Sequence, residues 1–113
     1  GKTFVDDQTL RGMIDVSAAT NRDETLYVGT RFSMGFMKCM DNRNNKFNAV
    51  DSAIIGQNAF GHVGAGGSIG FADPDQGLSF GYTMNQMGAG ILLNNRGQSL
   101  VAEAYKAIGA PVL

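Results

Sequence analysis

The chain has 113 residues, a formal net charge of −1, one histidine, one cysteine and 16 glycines. That length predicts a single domain over residues 1–113, able to bury roughly two-thirds of its unfolded surface. The scattered, balanced charge excludes a nucleic-acid footprint, and no apolar run reaches the roughly 20 residues of a membrane span.

One cysteine excludes an internal disulfide and a cysteine-built zinc site, so Cys39 reads as a buried thiol and no metal or cofactor is expected. The N-terminus has no signal-peptide pattern, which favours an intracellular setting. It begins with Gly1 rather than Met; the expectation is an excised segment.

The first predicted element is a short helix between Asp6 and Val16. Leu10, Met13 and Ile14 recur at helical spacing, and Asp6 or Asp7 is available as N-cap. Gly29 interrupts the next apolar stretch. Phe32, Met34 and Phe36 then alternate with Ser33, Gly35 and Met37, predicting a strand that runs towards Cys39. Asp41-Asn42-Arg43-Asn44-Asn45-Lys46 reads as a polar loop.

A glycine-rich string follows from Phe60 to Asp75 and carries the only histidine, His62. Ser68-Ile69-Gly70-Phe71 predicts a strand, Asp73-Pro74-Asp75-Gln76-Gly77 a turn, and Leu78 to Met84 a second, antiparallel strand. Leu78, Phe80, Tyr82 and Met84 share one face of that strand, with Ser79, Gly81 and Thr83 on the other. A closing helix spans about Asn95 to Gly109. Its apolar stripe is read as Leu100, Ala104 and Ile108, widened by Val101 and Tyr105. Asn95 with Gln98 resembles a capping box, Gly109 suits a C-terminal stop, and Pro111 prevents continuation. The expected fold class is α+β, an antiparallel sheet with a C-terminal helix packed on one face.

Dense glycines mark backbone that something approaches closely or that adopts angles forbidden to other residues. A dinucleotide loop is excluded because a Pro turn and a second strand follow the glycines, where that motif requires a helix. Gly1-Lys2-Thr3 lacks the upstream part of a phosphate loop. Asp73 and Asp75 are explained as turn formers that bond their own backbone. His62 reads either as a polar group presented to a ligand or as a strand-end histidine bonded to a neighbouring carbonyl. None of the serines has a lysine three residues on: Ser17, Ser33, Ser52, Ser68, Ser79 and Ser99 are followed by Thr20, Phe36, Ile55, Phe71, Tyr82 and Ala102.

The string His62-Val63-Gly64-Ala65-Gly66-Gly67-Ser68-Ile69-Gly70-Phe71-Ala72-Asp73-Pro74, followed by Leu78-Ser79-Phe80-Gly81-Tyr82 and Met84-Asn85, resembles the C-terminal part of the serine β-lactamase-like family. That family includes class C β-lactamases, D-alanyl-D-alanine carboxypeptidases, related esterases and animal β-lactamase-like proteins. The resemblance is strongest over residues 60–109 and extends weakly to Phe32-Ser33-Met34-Gly35-Phe36. It implies a partial β-lactamase/transpeptidase-like fold and, for an intact parent, hydrolysis of an ester, amide or lactam through an acyl-enzyme.

By this resemblance His62-Val63-Gly64 takes the place of the family's third motif. His62 would supply a polar group beside the substrate, and Gly64 would let substrate approach the strand. The Ala65 N–H would be one oxyanion donor, a contact worth roughly 3 kcal/mol in a comparable hole. Two departures stand out. Val63 replaces the usual Thr or Ser, removing a hydroxyl that could hold a substrate carboxylate. The family's Ser-x-x-Lys and Tyr-x-Asn motifs are absent: Tyr27, Tyr82 and Tyr105 lead to Gly29, Met84 and Ala107. The chain therefore carries no catalytic residue and is expected to be inactive alone. The expected partners are the missing N-terminal part of the same domain, a small-molecule ester, amide or lactam, and a second copy by self-association through an uncovered apolar face. The rival reading is a non-catalytic binding or assembly module.

Overall fold

The computed structural model describes residues 1–47 and 50–113, in an α+β arrangement of two helices and two antiparallel sheets. Helix α1 spans Asp7–Ile14 and is capped by Asp6, whose Oδ1 accepts the Thr9 N–H at 2.7 Å. None of its residues is fully buried. Strands β1 (Ala18–Thr20) and β2 (Thr30–Phe32) pair antiparallel as a small sheet.

The second sheet is built from β3 (Phe60–Gly64), β4 (Ser68–Asp73) and β5 (Leu78–Tyr82), in the order β3-β4-β5. Its registers place His62 opposite Gly70 and Gly70 opposite Gly81. The predicted hairpin forms, with the alternation of Leu78, Phe80 and Tyr82 against Ser79 and Gly81 intact, but its second strand ends at Tyr82, short of the expected Thr83 and Met84. Met37 links the two sheets: it bridges to Phe32 and exchanges two backbone hydrogen bonds with Gly61, at 2.7 and 3.0 Å.

Helix α2 (Asn95–Ala107) covers one face of the three-stranded sheet. The Tyr105 ring stacks on Phe71, with centroids 5.8 Å apart and planes 10° from parallel. Val63, Ile69 and Phe71 from the sheet, Val101 and Tyr105 from α2, and Met40, Ile54, Ile55, Leu92 and Leu93 from the intervening segments form one core cluster. Burial of each large aliphatic side chain there contributes about 1.5–3 kcal/mol relative to exposure. Cys39 is buried in the same cluster.

Three sequence expectations are corrected. The strand predicted through Phe32, Met34 and Phe36 stops at Phe32. Ser33 turns back, its N–H donating to the Phe36 carbonyl, Gly35 takes a positive φ of 81°, and Met34 is 71% exposed. A left-handed residue cannot continue a pleated strand. The buried stripe of α2 is Gly97, Val101 and Tyr105, whereas Leu100 and Ile108 are 46% and 47% exposed. Gly97 decides this rotation: a side chain there would meet Leu93 and the Gly67 carbonyl, so the helix settles with its bare position against the sheet. The capping box from Asn95 does not form. Asn94 is the N-cap, and the Gln98 amide instead exchanges hydrogen bonds with the Ile54 backbone at 2.9 and 2.8 Å.

Candidate functional site: the outer edge of the histidine strand

Strand β3 is the edge strand of its sheet, and its hydrogen-bond phase fixes what that edge presents. Gly61 gives both backbone groups to Met37, so Phe60, His62 and Gly64 turn theirs inward to β4. Val63, two residues on from Gly61, faces outward like it. The Gly64 carbonyl points inward and accepts the Gly67 N–H at 3.1 Å. A trans, planar peptide sets the next N–H opposite that carbonyl, which aims the Ala65 N–H at the outer edge. Ala65 is exposed, and its N–H makes no hydrogen bond among the described residues.

His62 is exposed on the sheet face away from α2, because its strand neighbours Gly61 and Val63 fill the core face. Its Nδ1 lies 2.7 Å from the Val63 carbonyl. A carbonyl only accepts, so Nδ1 carries the hydrogen and the neutral ring keeps its Nε2 lone pair for a partner. The ring is tied to a neighbouring carbonyl, as a strand-end histidine is, and stays exposed. Across the strands from it stand Gly70 and Gly81, leaving a shallow depression of about 480 Å³ bordered by His62, Ser68, Tyr82 and Thr83. No charged side chain lines it.

The turn after Gly64 is held from behind. The Asn94 side chain donates to the Gly66 carbonyl at 2.9 Å and accepts the Gly97 N–H at 3.3 Å, joining the turn to the start of α2. Gly66 also pairs with Gly88 and Gly90 through the backbone. Gly67 takes φ 109°, and a Cβ there would collide with the Asn94 amide. The close approach announced by the glycine string is therefore made in large part by Asn94. At Gly64 likewise, a side chain would meet the Ser68 hydroxyl. Asn94 is the residue that sequence reasoning missed; its place three residues before Gly97 signals a cap, but nothing local signals the reach back to Gly66.

His62, Gly64 and Ala65 come together on one strand end, with His62 and Gly64 towards the open face and Ala65 at the edge. Val63 does not join them, since its side chain is 7% exposed and packs in the core cluster. Asp73 and Asp75 are occupied structurally. Asp73 is buried, accepting the Asp75 N–H at 3.1 Å and the Tyr105 hydroxyl at 2.7 Å, and Asp75 accepts the Asn58 amide at 2.9 Å. Among the described residues no cluster of acidic, His and Cys side chains is arranged to hold a metal ion, and no helix is long and apolar enough to cross a membrane.

Lys38 was not foreseen. It is 1% exposed, its Nζ donating to the Ala59 carbonyl at 2.6 Å, and burial, with Arg31 nearby, pulls its ammonium below the ordinary lysine range. It lies within the fold and forms no part of the open edge. Comparison with protein-family models gives no matching family, and comparison with curated proteins gives no matching relative.

Proposed function

We propose that this chain is the C-terminal part of a serine β-lactamase-like hydrolase, contributing one wall of an acyl-transfer cleft and one of two oxyanion donors. The single observation that supports this reading is the Ala65 N–H, aimed outward from the β3 edge beside the exposed His62 ring. An edge strand with a free N–H at its end can hold an acyl group extended along it and stabilise charge developing on the carbonyl oxygen. His62, with Nδ1 bonded to the Val63 carbonyl, would offer Nε2 to the proton traffic of a nucleophile supplied from outside this chain. In this reading the sheet and closing helix correspond to part of a β-lactamase/transpeptidase-like fold, and the remaining N-terminal part of that domain is the natural partner.

The uncharged surround and the open exposure of His62 favour a neutral ester or amide over a carboxylate-bearing lactam. They also favour the rival reading, a binding or assembly module without chemistry. The upstream coding sequence separates the two. Ser-x-x-Lys and Tyr-x-Asn upstream are expected for the hydrolase, and their absence there overturns it. In such a parent His62→Ala should lower kcat/KM for an ester substrate, and unchanged kinetics would return His62 to a purely structural role.

A further inference from the structure

We infer that Lys38 is a positioning residue for the strand that bears His62. Its buried ammonium replaces a ladder rung at Ala59 and holds residues 36–38 against β3. The outer edge of β3 is thereby closed at Gly61 and open from Val63. Residues 36–38 reach β3 by one hydrogen-bonded pair, Met37 with Gly61. In an antiparallel ladder such pairs recur every two residues, so the next would join Gly35 to Val63 and Cys39 to Ala59. Neither pair forms among the described residues. At Gly35 the chain turns back with φ 81°, and beyond Lys38 it leaves the strand, Met40 pairing with Ala53 instead. Ala59 is wholly buried, so its outward carbonyl needs a donor from within the fold. The Lys38 Nζ supplies one at 2.6 Å.

Packing alone does not account for a lysine at this position. A buried ammonium is costly, and among the described residues the Ala59 carbonyl is its one hydrogen-bond acceptor. A methionine would fill similar space without that cost. What the lysine adds is a donor on a stem long enough to reach the neighbouring strand. Its own N–H donates to the Arg31 carbonyl at 3.0 Å, and the adjacent Met37 bridges to Phe32. The residue thus ties the small sheet, through its backbone, to the large sheet, through its side chain.

The consequence for substrate rests on the hydrolase reading above. Gly61 is covered by Met37, and the Gly66 backbone is taken by Gly88 and Gly90. Val63 and Ala65 are the outward positions left between them. An extended acyl group therefore has two ladder positions on this edge. That suits a short ester or amide and disfavours a polymer lying along the strand.

Amide exchange by NMR on the full chain tests the role of Lys38. Lys38→Met keeps the volume and removes the donor. The Met37 and Gly61 amides should then exchange at least about tenfold faster, while those of α2, β4 and β5 keep their wild-type rates. The Ala65 amide and His62 ring signals should move with them. A lysine that only fills space predicts the opposite, because removing a buried charge should stabilise all elements alike. Lys38→Arg restores a donor and should return Met37 and Gly61 towards wild-type protection. In the wild type, the Lys38 amino protons should exchange slowly with water and show contacts to Ala59, which tests the clamp even if a variant does not fold. Unchanged Met37 and Gly61 rates in Lys38→Met overturn the proposal, as does uniform acceleration over all elements. So does a failure of Lys38→Arg to recover protection, or rapid exchange of the wild-type amino protons. None of these outcomes bears on the upstream Ser-x-x-Lys and Tyr-x-Asn that decide the hydrolase reading, so the two fail separately.

Discussion

Tyr105 and Asp73, 32 residues apart, are joined by a 2.7 Å hydrogen bond from the phenol to Oδ2, while the same phenol accepts the Gly56 N–H at 2.9 Å. The bond closes the helix onto the sheet at the end of β4 and satisfies a carboxylate that is 2% exposed. Burial, reinforced by the Asp73 bond, pushes the phenol well above the ordinary tyrosine range.

Removing that hydroxyl should cost stability out of proportion to its size. Tyr105→Phe leaves a buried carboxylate oxygen and the Gly56 N–H without a partner, an expected loss of about 1–3 kcal/mol. Chemical denaturation at neutral pH measures it. No change relative to wild type would mean the network is replaced by water.

The same residue predicts a pH dependence. Above the unfolded tyrosine value of 10.0 the unfolded chain sheds the proton that the native phenol retains. The native state then binds more protons, so stability falls as pH rises through this range. Tyr105→Phe should abolish that fall in a denaturation series run from neutral to strongly alkaline pH.

Lys38 acts in the opposite sense at lower pH. Its native value is lowered from 10.5, so between the two values the unfolded chain holds a proton that the native chain has released. Stability from this group therefore rises with pH across that window and levels off above it. Lys38→Met should flatten the rise, and a rise of undiminished slope in the variant would assign it to another group.

Asn94 offers a test that separates its two bonds. Asn94→Ala loses both the cap on Gly97 and the tie to Gly66, and should cost about 1–2 kcal/mol from the cap alone. Asn94→Asp keeps an acceptor for the cap and gives up the donor to Gly66. The Asp variant should preserve α2 while loosening the turn at Ala65, seen as faster amide exchange at Gly66 to Ser68. Equal loosening of helix and turn in both variants would show that the two bonds do not act separately.

The isolated chain should not hydrolyse p-nitrophenyl acetate or nitrocefin above background, since no serine in it has a lysine partner at the required spacing. An acyl-enzyme visible by mass spectrometry would reverse that expectation.

The hairpin from Ser68 to Tyr82 was legible because strict alternation flanked a Pro-centred turn, and both signals are local. The closing helix was legible as a helix but not in its orientation. Leu100 and Ile108 are as apolar as Val101, and only the contact of Gly97 with Leu93 and Gly67 selects the face. Strand β1 went unseen because Ala18, Ala19 and Thr20 have no alternation to read, and their pairing with β2 is set by tertiary context. Met34 looked like a strand residue because alternation was read through Gly35, whose left-handed backbone ends the strand. His62, Gly64 and Ala65 were picked out by composition and resemblance. The bond phase that turns Ala65 outward depends on the pairing of Gly61 with Met37, far from it in sequence, and no local pattern carries it.

Gly70 and Gly81 have open space where a side chain would stand, and neither has the positive φ that would strain one. Both lie on the row with His62. The surface around the imidazole is accordingly the part of this molecule most easily redecorated. At either position a Cβ would meet no neighbour within 4 Å, so a threonine or valine would raise strand propensity and begin a wall where the sheet now offers bare backbone. The shape of this surface is open to change by single substitutions that need no compensating change in the core.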